Sequence, residues 1–195
     1  MQLSAFISAF RTPDLRNKIL FTLGIISLFR LGSVIPTPGV SYANVQQCLT
    51  VTQENPIFGL INLFSGGALL QLSMFALGIM PYITSSIIMQ LMTVVIPRLE
   101  ALKQEGQSGQ AKVTQYTRYL TVGLAILQST SILTLAREPG RLIPGCSLDL
   151  IPSDDIFLFI VMIITLTAGT SIIMWLGELV TDKGVGNGMS MLIFT

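Results

Sequence analysis

Residues 57–97 read IFGLINLFSGGALLQLSMFALGIMPYITSSIIMQLMTVVIP, and this stretch decides the fold. It is apolar for about forty residues, roughly twice the length that one helical bilayer crossing needs. Ser65-Gly66-Gly67 interrupts it early. The first piece is then only about ten residues long, which is too short to span a membrane. We therefore expect a short re-entrant helix followed by one full crossing.

The composition of the chain points to a lipid environment. Of its 195 residues, 51% are hydrophobic and 11% are charged, against about 25% charged in soluble domains. The 11 Lys and Arg nearly cancel the 10 Asp and Glu, so no bulk field recruits nucleic acid. The charges lie in groups between long apolar runs, which is typical of a polytopic membrane protein.

The apolar runs predict an all-α membrane protein, a polytopic helical bundle of about five transmembrane helices. Residues 37–56 and 137–155 are predicted to form polar loops, and residues 98–112 a charged loop. Because the last apolar run is too short to cross a bilayer, we expect the chain to be the first part of a longer protein. The predicted segments are a cytoplasmic lead at 1–18, crossings at 19–35, 74–96, 116–136 and 156–177, a re-entrant piece at 57–67, and the start of a fifth crossing at 186–195.

The distribution of basic residues predicts a cytoplasmic N-terminus. With that orientation the inside segments carry eight basic residues and the outside loops carry two, Arg137 and Arg141. This bias follows the positive-inside rule for membrane proteins. The eight are Arg11, Arg16, Lys18, Arg98, Lys103, Lys112, Arg118 and Lys183.

Both cysteines, Cys48 and Cys146, fall in loops that are predicted to lie outside. An oxidising compartment would allow a disulfide between them. The alternative is two unpaired thiols on separate loops, because a sequence does not give the distance between their Cα atoms.

Arg30 is the one charged residue deep within a predicted crossing, and such residues are candidates for a functional role. Its long side chain could reach the outer interface near Pro36. Pairing with a carboxylate elsewhere is the alternative.

Several residue combinations that catalysis commonly uses are absent from the chain. Without histidine, a Ser-His or Cys-His nucleophile pair and a histidine-based zinc site are excluded. No carboxylate lies within 57–96 or 156–177, although an aspartyl protease needs two buried carboxylates and a proton-driven carrier usually needs at least one. The glycines of residues 184–188, GVGNG, could hold an anion before a helix, but a tight turn is favoured. We expect no enzyme, no cofactor and no metal site.

Two pairs of apolar residues share the spacing of one helical turn. Ile79 and Ile83 lie on one face of the second crossing, and Met189 and Ile193 repeat the spacing in the fifth. Pro81 is expected to bend the face between the first two. On spacing alone, such pairs are typical of packing or lipid-facing residues.

Four blocks of the chain resemble the SecY family, the channel subunits of the bacterial protein translocase. The resemblance implies a channel of ten transmembrane helices in two halves that close like a clamshell, of which residues 1–195 would supply nearly all of the N-terminal half. The blocks are FRLGSVIPTPGV (29–40), NLFSGGALLQLSMFALGIMPYITSSIIMQL (62–91), VTQYTRYLTVGLAI (113–126) and MWLGELVTDKGVGNGMSMLIF (174–194).

The resemblance also implies roles for particular residues. The re-entrant piece 57–67 would be the plug that blocks the resting pore, and Thr84 would lie along the lateral gate to lipid. An apolar ring at the channel waist would be formed by Ile79, Ile83, Met189 and Ile193. The plug would comprise Ile57, Phe58, Leu60, Ile61, Leu63, Phe64, Ser65, Gly66 and Gly67.

In this family the channel moves unfolded polypeptides across the plasma membrane and releases membrane segments laterally into lipid. The resemblance implies SecE and SecG as partner subunits, the SecA motor ATPase or a ribosome as the source of driving force, and signal peptides and translocating polypeptides as clients. Direct binding of nucleic acid is not expected. Two rival classes are a secondary transporter with a broken helix and a structural membrane scaffold without a pore.

Overall fold

A computed structural model describes residues 12–52, 68–69, 71–138, 140–143, 146–152 and 155–194, with the side chains of 50–52 left aside. Over these ranges the chain is helical apart from turns and one isolated β-bridge between Pro36 and Ser73. The predicted all-α fold class is confirmed. The helices described are α1 (Pro13–Val34), α2 (Tyr42–Thr52), α3 (Met80–Val95), α4 (Pro97–Gln104), α5 (Gln107–Arg137), α6 (Ile156–Lys183) and α7 (Gly188–Ile193).

Three of the described helices, α1, α5 and α6, are long and apolar enough to cross a membrane. The helices α3 and α4 pass the same test together, but they are bent by 100° at the break between them. Taken as one broken span, they raise the number of candidate crossings to four. About five were predicted, and the fifth was expected only as a beginning; α7 occupies that region.

The long helices extend beyond their predicted bounds. Helix α1 begins at Pro13 rather than at 19, with proline in its first turn, where the missing N–H costs no intrahelical bond. Helix α5 runs over Gln107–Arg137 rather than 116–136, and α6 continues to Lys183 rather than ending at 177. The predictions followed only the apolar residues, whereas a helix continues into polar sequence beyond the hydrocarbon.

Two segments predicted to be loops are helical. The sequence of α4, PRLEALKQ, lies in the predicted loop 98–112 but consists mostly of strong helix formers after an initial proline. Helix α2 lies in the predicted loop 37–56, and it buries Val45 and Cys48 completely on one face. Its start is held by Ser41, whose N–H donates to the carbonyl oxygen of Leu150 at 3.0 Å.

The second crossing was predicted to start at residue 74, but α3 starts only at Met80. The residues before it, 71–79, form a series of turns, which we call the turn segment. Gly78, at φ +57°, adopts the left-handed conformation that this path requires. The segment is tied to the end of α1, since the Met74 N–H donates to the Ile35 carbonyl oxygen at 2.9 Å.

Phe75 fixes the turn segment between two long helices. Its ring stacks on that of Phe29 in α1, with centroids 5.9 Å apart, and lies where a side chain at Gly32 would otherwise be. On the opposite side, a Cβ at Gly169 of α6 would overlap the carbonyl oxygen of Met74. Glycine at these two positions therefore lets the turn segment pack directly against α1 and α6.

The buried residues form two clusters. The disulfide cluster joins α2, the turn segment, α5 and α6, and includes Val45, Cys48, Leu72, Leu133, Cys146 and Met162. The phenylalanine cluster joins α1, the turn segment, α6 and α7, and includes Phe29, Phe75, Ile79, Ile173, Leu176 and Leu192.

Cys48 and Cys146 form a disulfide, with their Cα atoms 5.3 Å apart. Of the two alternatives open from the sequence, the structure has the bonded pair. The bond links residues 98 positions apart and fastens α2 to the loop between α5 and α6. Beside it, the Asn44 side-chain amide donates to the carbonyl oxygen of Asp149 at 2.7 Å.

Candidate functional site

The four residues of the expected ring lie together in the structure. Ile79 belongs to the phenylalanine cluster and is 7% exposed. Ile83, Met189 and Ile193 are partly buried and pack against the same cluster. Both pairs therefore pack against one cluster, although they are more than one hundred residues apart in sequence.

Ile79, the residue directly before α3, and Ile83, in the first turns of α3, lie on one helical face. The N–H of Ile83 donates to the carbonyl oxygen of Ile79 at 3.1 Å, so one helical turn connects them directly. Pro81 was expected to bend this face. Instead it occupies the first turn of α3, where proline removes no intrahelical hydrogen bond. The helix therefore starts at Met80, directly before the proline, and Pro81 does not interrupt it.

Helix α7 lies close to the end of α6 because glycine occupies both sides of the contact. A Cβ at Gly188 would overlap the carbonyl oxygen of Gly177, and a Cβ at Gly177 would lie 2.5 Å from the Met189 sulfur. Asn187 caps α7, since its side-chain oxygen accepts from the Met189 N–H at 3.0 Å. Met189 is thereby held against α6.

The turn between α6 and α7 contains the GVGNG sequence. The N–H groups of Gly184, Val185, Gly188 and Met189 all donate to oxygen atoms of the protein itself. An anion site needs such groups unoccupied. The bonding agrees with the tight turn that was favoured, and Gly186 supplies its left-handed residue at φ +75°.

Beside Ile83 and Met189 lies an open cavity of about 860 Å³, which we call the polar cavity. Helices α3, α5 and α6 and the turn before α7 enclose it. Ile83 and Met189 form part of its apolar lining. Polar and charged groups line the rest, among them Ser86, Gln90, Gln115, Arg118, Glu178 and Asn187.

An ion pair in the polar cavity joins α5 to α6. Arg118 donates from Nε to Glu178 Oε1 at 3.0 Å and from Nη2 to Oε2 at 2.6 Å. Such a two-bond pair fixes the direction of both side chains as well as their distance. The Glu178 side chain is 17% exposed and that of Arg118 is 49% exposed. This pair therefore sets the spacing of the two helices where they border the cavity.

Sequence reasoning used Arg118 only as an orientation signal and did not identify Glu178. A signal was available, because consecutive crossings run in opposite directions. Arg118 lies near the start of one predicted crossing and Glu178 near the end of the next. Opposite charges at the same membrane face of neighbouring helices are candidates for an ion pair.

Thr84, the expected lateral-gate residue, is half-buried on α3 next to Ile83. Its hydroxyl donates within the same helix, to the carbonyl oxygen of Met80 at 3.0 Å. Arg30, in α1, has an exposed side chain. The expected plug, residues 57–67, lies outside the described residues, and with it lie Ile57, Phe58, Leu60, Ile61, Leu63, Phe64, Ser65, Gly66 and Gly67.

Comparison with known proteins gives concordant results. A family model described as SecY matches residues 73–195. The protein translocase subunit SecY of Streptomyces coelicolor is 63% identical over 195 residues, which cover 98% of this chain and 44% of that relative. The subunit of the same description from Mycobacterium tuberculosis (strain ATCC 25618 / H37Rv) is 60% identical with the same coverage. The chain thus spans less than half the length of the curated relatives it matches.

A solved structure has the same fold. It is described as Sec61 in the canine ribosome-channel complex from the endoplasmic reticulum, and it matches with a TM-score of 0.57. The match covers 90% of this chain and 35% of that chain, at 16% sequence identity. At that identity the likeness concerns the arrangement of the helices.

Proposed function

Because the chain belongs to the SecY family, we propose that it forms part of a protein-conducting channel that moves unfolded polypeptides through the membrane. The observation that carries this proposal is that the two apolar pairs pack against one cluster, while one member of each pair, Ile83 and Met189, lines the polar cavity. A channel needs a water-filled entrance next to an apolar constriction. The polar cavity would form the entrance, and the four apolar residues would form the constriction.

The ring of Ile79, Ile83, Met189 and Ile193 would form the constriction. An apolar constriction excludes water and ions by dewetting, without a charged gate. It also binds no class of side chain strongly, which suits a pore that every amino acid must pass. Met189 is flexible and polarisable, so it can adapt the seal to side chains of different sizes.

Two further parts of the mechanism remain proposals from the family resemblance. Residues 57–67 would act as the plug that fills the resting pore. Thr84 would lie along the lateral gate, through which signal peptides and membrane segments reach lipid. Because the hydroxyl of Thr84 is already bonded to the Met80 carbonyl, it adds little polar surface towards a passing apolar segment.

The charges of the described helices support a cytoplasmic N-terminus, and the family resemblance is the basis for proposing the bacterial plasma membrane. Arg118 and Lys183 lie at the cavity end of α5 and α6, near α4 with its Arg98 and Lys103. The disulfide lies at the other end of these helices, as an oxidising outer face would allow. We assign the polar cavity to the cytoplasmic side, where a polypeptide would enter.

The partners proposed are SecE and SecG as further subunits, with SecA or a ribosome as the source of driving force. The Sec61 structure matched above is described as part of a ribosome-channel complex. The sequence lacks a G-x-x-x-x-G-K-[ST] phosphate-binding loop, so the energy for transport would come from such a partner. No catalytic residue is assigned to the channel itself.

Reconstitution tests this function. A full-length channel that carries this chain (below, the full-length channel) is placed in vesicles with SecE, SecG, SecA and ATP. We expect a secretory precursor to become protected from added protease, and the same precursor without its signal peptide to stay accessible. Protection independent of the signal peptide would contradict the proposal. Uptake of a small solute with no transport of polypeptide would favour a secondary transporter instead.

A further inference from the structure

Two threonine hydroxyls from different helices hold the turn between α6 and α7. The N–H of Val185 donates to Thr22 Oγ1 at 3.2 Å, and the N–H of Gly188 donates to Thr181 Oγ1 at 3.0 Å. Thr22 belongs to α1 and is 163 positions away from Val185, so the first contact ties the turn to a distant part of the chain.

Each hydroxyl is oriented by a second hydrogen bond. Thr22 Oγ1 donates to the carbonyl oxygen of Lys18 at 2.9 Å, and Thr181 Oγ1 donates to that of Gly177 at 2.9 Å. A hydroxyl has one hydrogen and two lone pairs. Once its hydrogen is directed back into its own helix, a lone pair faces outward to the N–H of the turn. The same arrangement thus occurs twice.

The turn fits closely against Thr22. A Cβ at Gly184 would lie 2.7 Å from Thr22 Oγ1 and 2.6 Å from the carbonyl oxygen of Val180. Any larger residue would push the turn away from α1. The position of the turn is therefore defined by hydrogen bonds on two sides and by contact with the backbone of α6.

Helix α7 follows this turn directly, and Met189 is its second residue. We propose that Thr22 and Thr181 are positioning residues that fix where α7 lies relative to α1 and α6. They thereby place Met189 and Ile193 in the channel waist. The inference rests on the proposed channel function. Neither threonine lines the constriction; they act through the backbone of the turn.

The two contacts differ in their exposure to water. Thr22 is 5% exposed and Val185 is half-buried, so loss of the Thr22 hydroxyl would leave the Val185 N–H without its partner at a site that water reaches less easily. Thr181 is exposed, and water could replace its hydroxyl. We therefore expect replacement of Thr22 to have the larger effect on the waist.

The test measures the ion current of the full-length channel at rest in a planar bilayer, together with its melting temperature. Thr22→Val keeps the side-chain shape and removes the hydroxyl. It should raise the resting current about fivefold, because the net free energy of one hydrogen bond changes the equilibrium between the closed and open waist by about that factor. Thr22→Ser should restore a current near that of the parent, and Thr181→Val should have a smaller effect. The matched control is Thr121→Val, at a fully buried threonine of α5 whose hydroxyl donates to the Thr117 carbonyl oxygen at 2.7 Å.

A raised current in Thr22→Val, with Thr121→Val at the parent level and a similar melting temperature, would support the inference. An unchanged current in Thr22→Val, or an equal rise in both variants, would overturn it. If Thr22→Val does not accumulate, Gly184→Ala keeps Thr22 but displaces the turn, and it should raise the current in the same way. Transport of a precursor by the parent is measured in parallel, so that failure of the channel function is recognised separately.

Discussion

At the scale of single residues, the contact with the clearest energetic role is the ion pair between Arg118 and Glu178. Exposed ion pairs contribute little to stability, but the Glu178 side chain is mostly buried and accepts two hydrogen bonds from Arg118. Removal of the arginine would leave a carboxylate facing the cavity without its partner. The cost arises from that unpaired charge more than from the lost attraction.

Arg118→Gln is therefore expected to lower the free energy of unfolding by about 1 kcal/mol, the low end of the range for a polar group left without its partner, because water in the open cavity partly solvates the carboxylate. The double variant Arg118→Met/Glu178→Met removes both charges and should recover most of this loss. Thermal unfolding of the purified full-length channel in detergent measures both. A double variant that is less stable than the single one would contradict this explanation.

At the scale of elements, the junction between the turn segment, α1 and α6 determines where α3 begins. Phe75 packs on Phe29, and the Met74 carbonyl lies against Gly169. Because backbone contacts backbone at Gly169, there is no flexible side chain that could move to make room. This contact fixes the position of the residues that lead into Ile79.

Gly169→Ala should destabilise the protein by about 1–3 kcal/mol, the usual cost of overpacking a buried contact. Gly123→Ala, in α5, is the matched control, because nothing lies within 4 Å of a Cβ at that position. It should be neutral or stabilising by up to about 1 kcal/mol, since alanine favours helix over glycine. Unfolding midpoints in denaturant compare the two variants. Equal effects would show that the close contact of Gly169 with the Met74 carbonyl does not determine the stability of the alanine variant.

The elements themselves were largely predictable from length and hydropathy. The apolar runs at 19–35, 116–136 and 156–177 overlap α1, α5 and α6. The helices α2 and α4 were missed because the search followed apolar runs, and neither segment is one. The turn segment was missed for the opposite reason: its residues are as apolar as the helix after it, so hydropathy marks no boundary there.

The candidate site was predictable only in part. The spacing of Ile79 with Ile83, and of Met189 with Ile193, places each pair on one helical face, but it does not say that the two faces meet. That expectation came from the family resemblance. In the structure Ile79 belongs to the phenylalanine cluster, and the other three residues pack against it. The contacts of Thr22 and Thr181 with the turn depend on tertiary packing, for which the sequence holds no local signal.

At the scale of the whole molecule, the two ends of α5 and α6 differ: one end lies in the disulfide cluster and the other carries the ion pair. The disulfide cluster includes Leu133 and Met162, whereas the ion pair joins Arg118 to Glu178. Along α5 the distance between Arg118 and Leu133 is about four helical turns, or roughly 22 Å. A polar cavity at one end, a disulfide-bonded cap at the other and apolar residues between them are the parts that a gated passage for polypeptide needs.

The central claim is that a polypeptide in transit passes Ile83, and site-specific crosslinking tests it directly. A photoreactive amino acid at position 83 of the full-length channel is preferable to a cysteine, since the Cys48–Cys146 disulfide could exchange with new thiols. A secretory precursor is stalled partway across, with the same photoreactive group at Ile164 as control, because that side chain is 61% exposed on the outside of α6.

We expect the stalled precursor to crosslink at position 83 and not at position 164. That result would place the moving chain beside the isoleucines and Met189. No crosslink at 83, with stalling verified by protease protection, or equal crosslinking at both positions, would contradict the account of the waist.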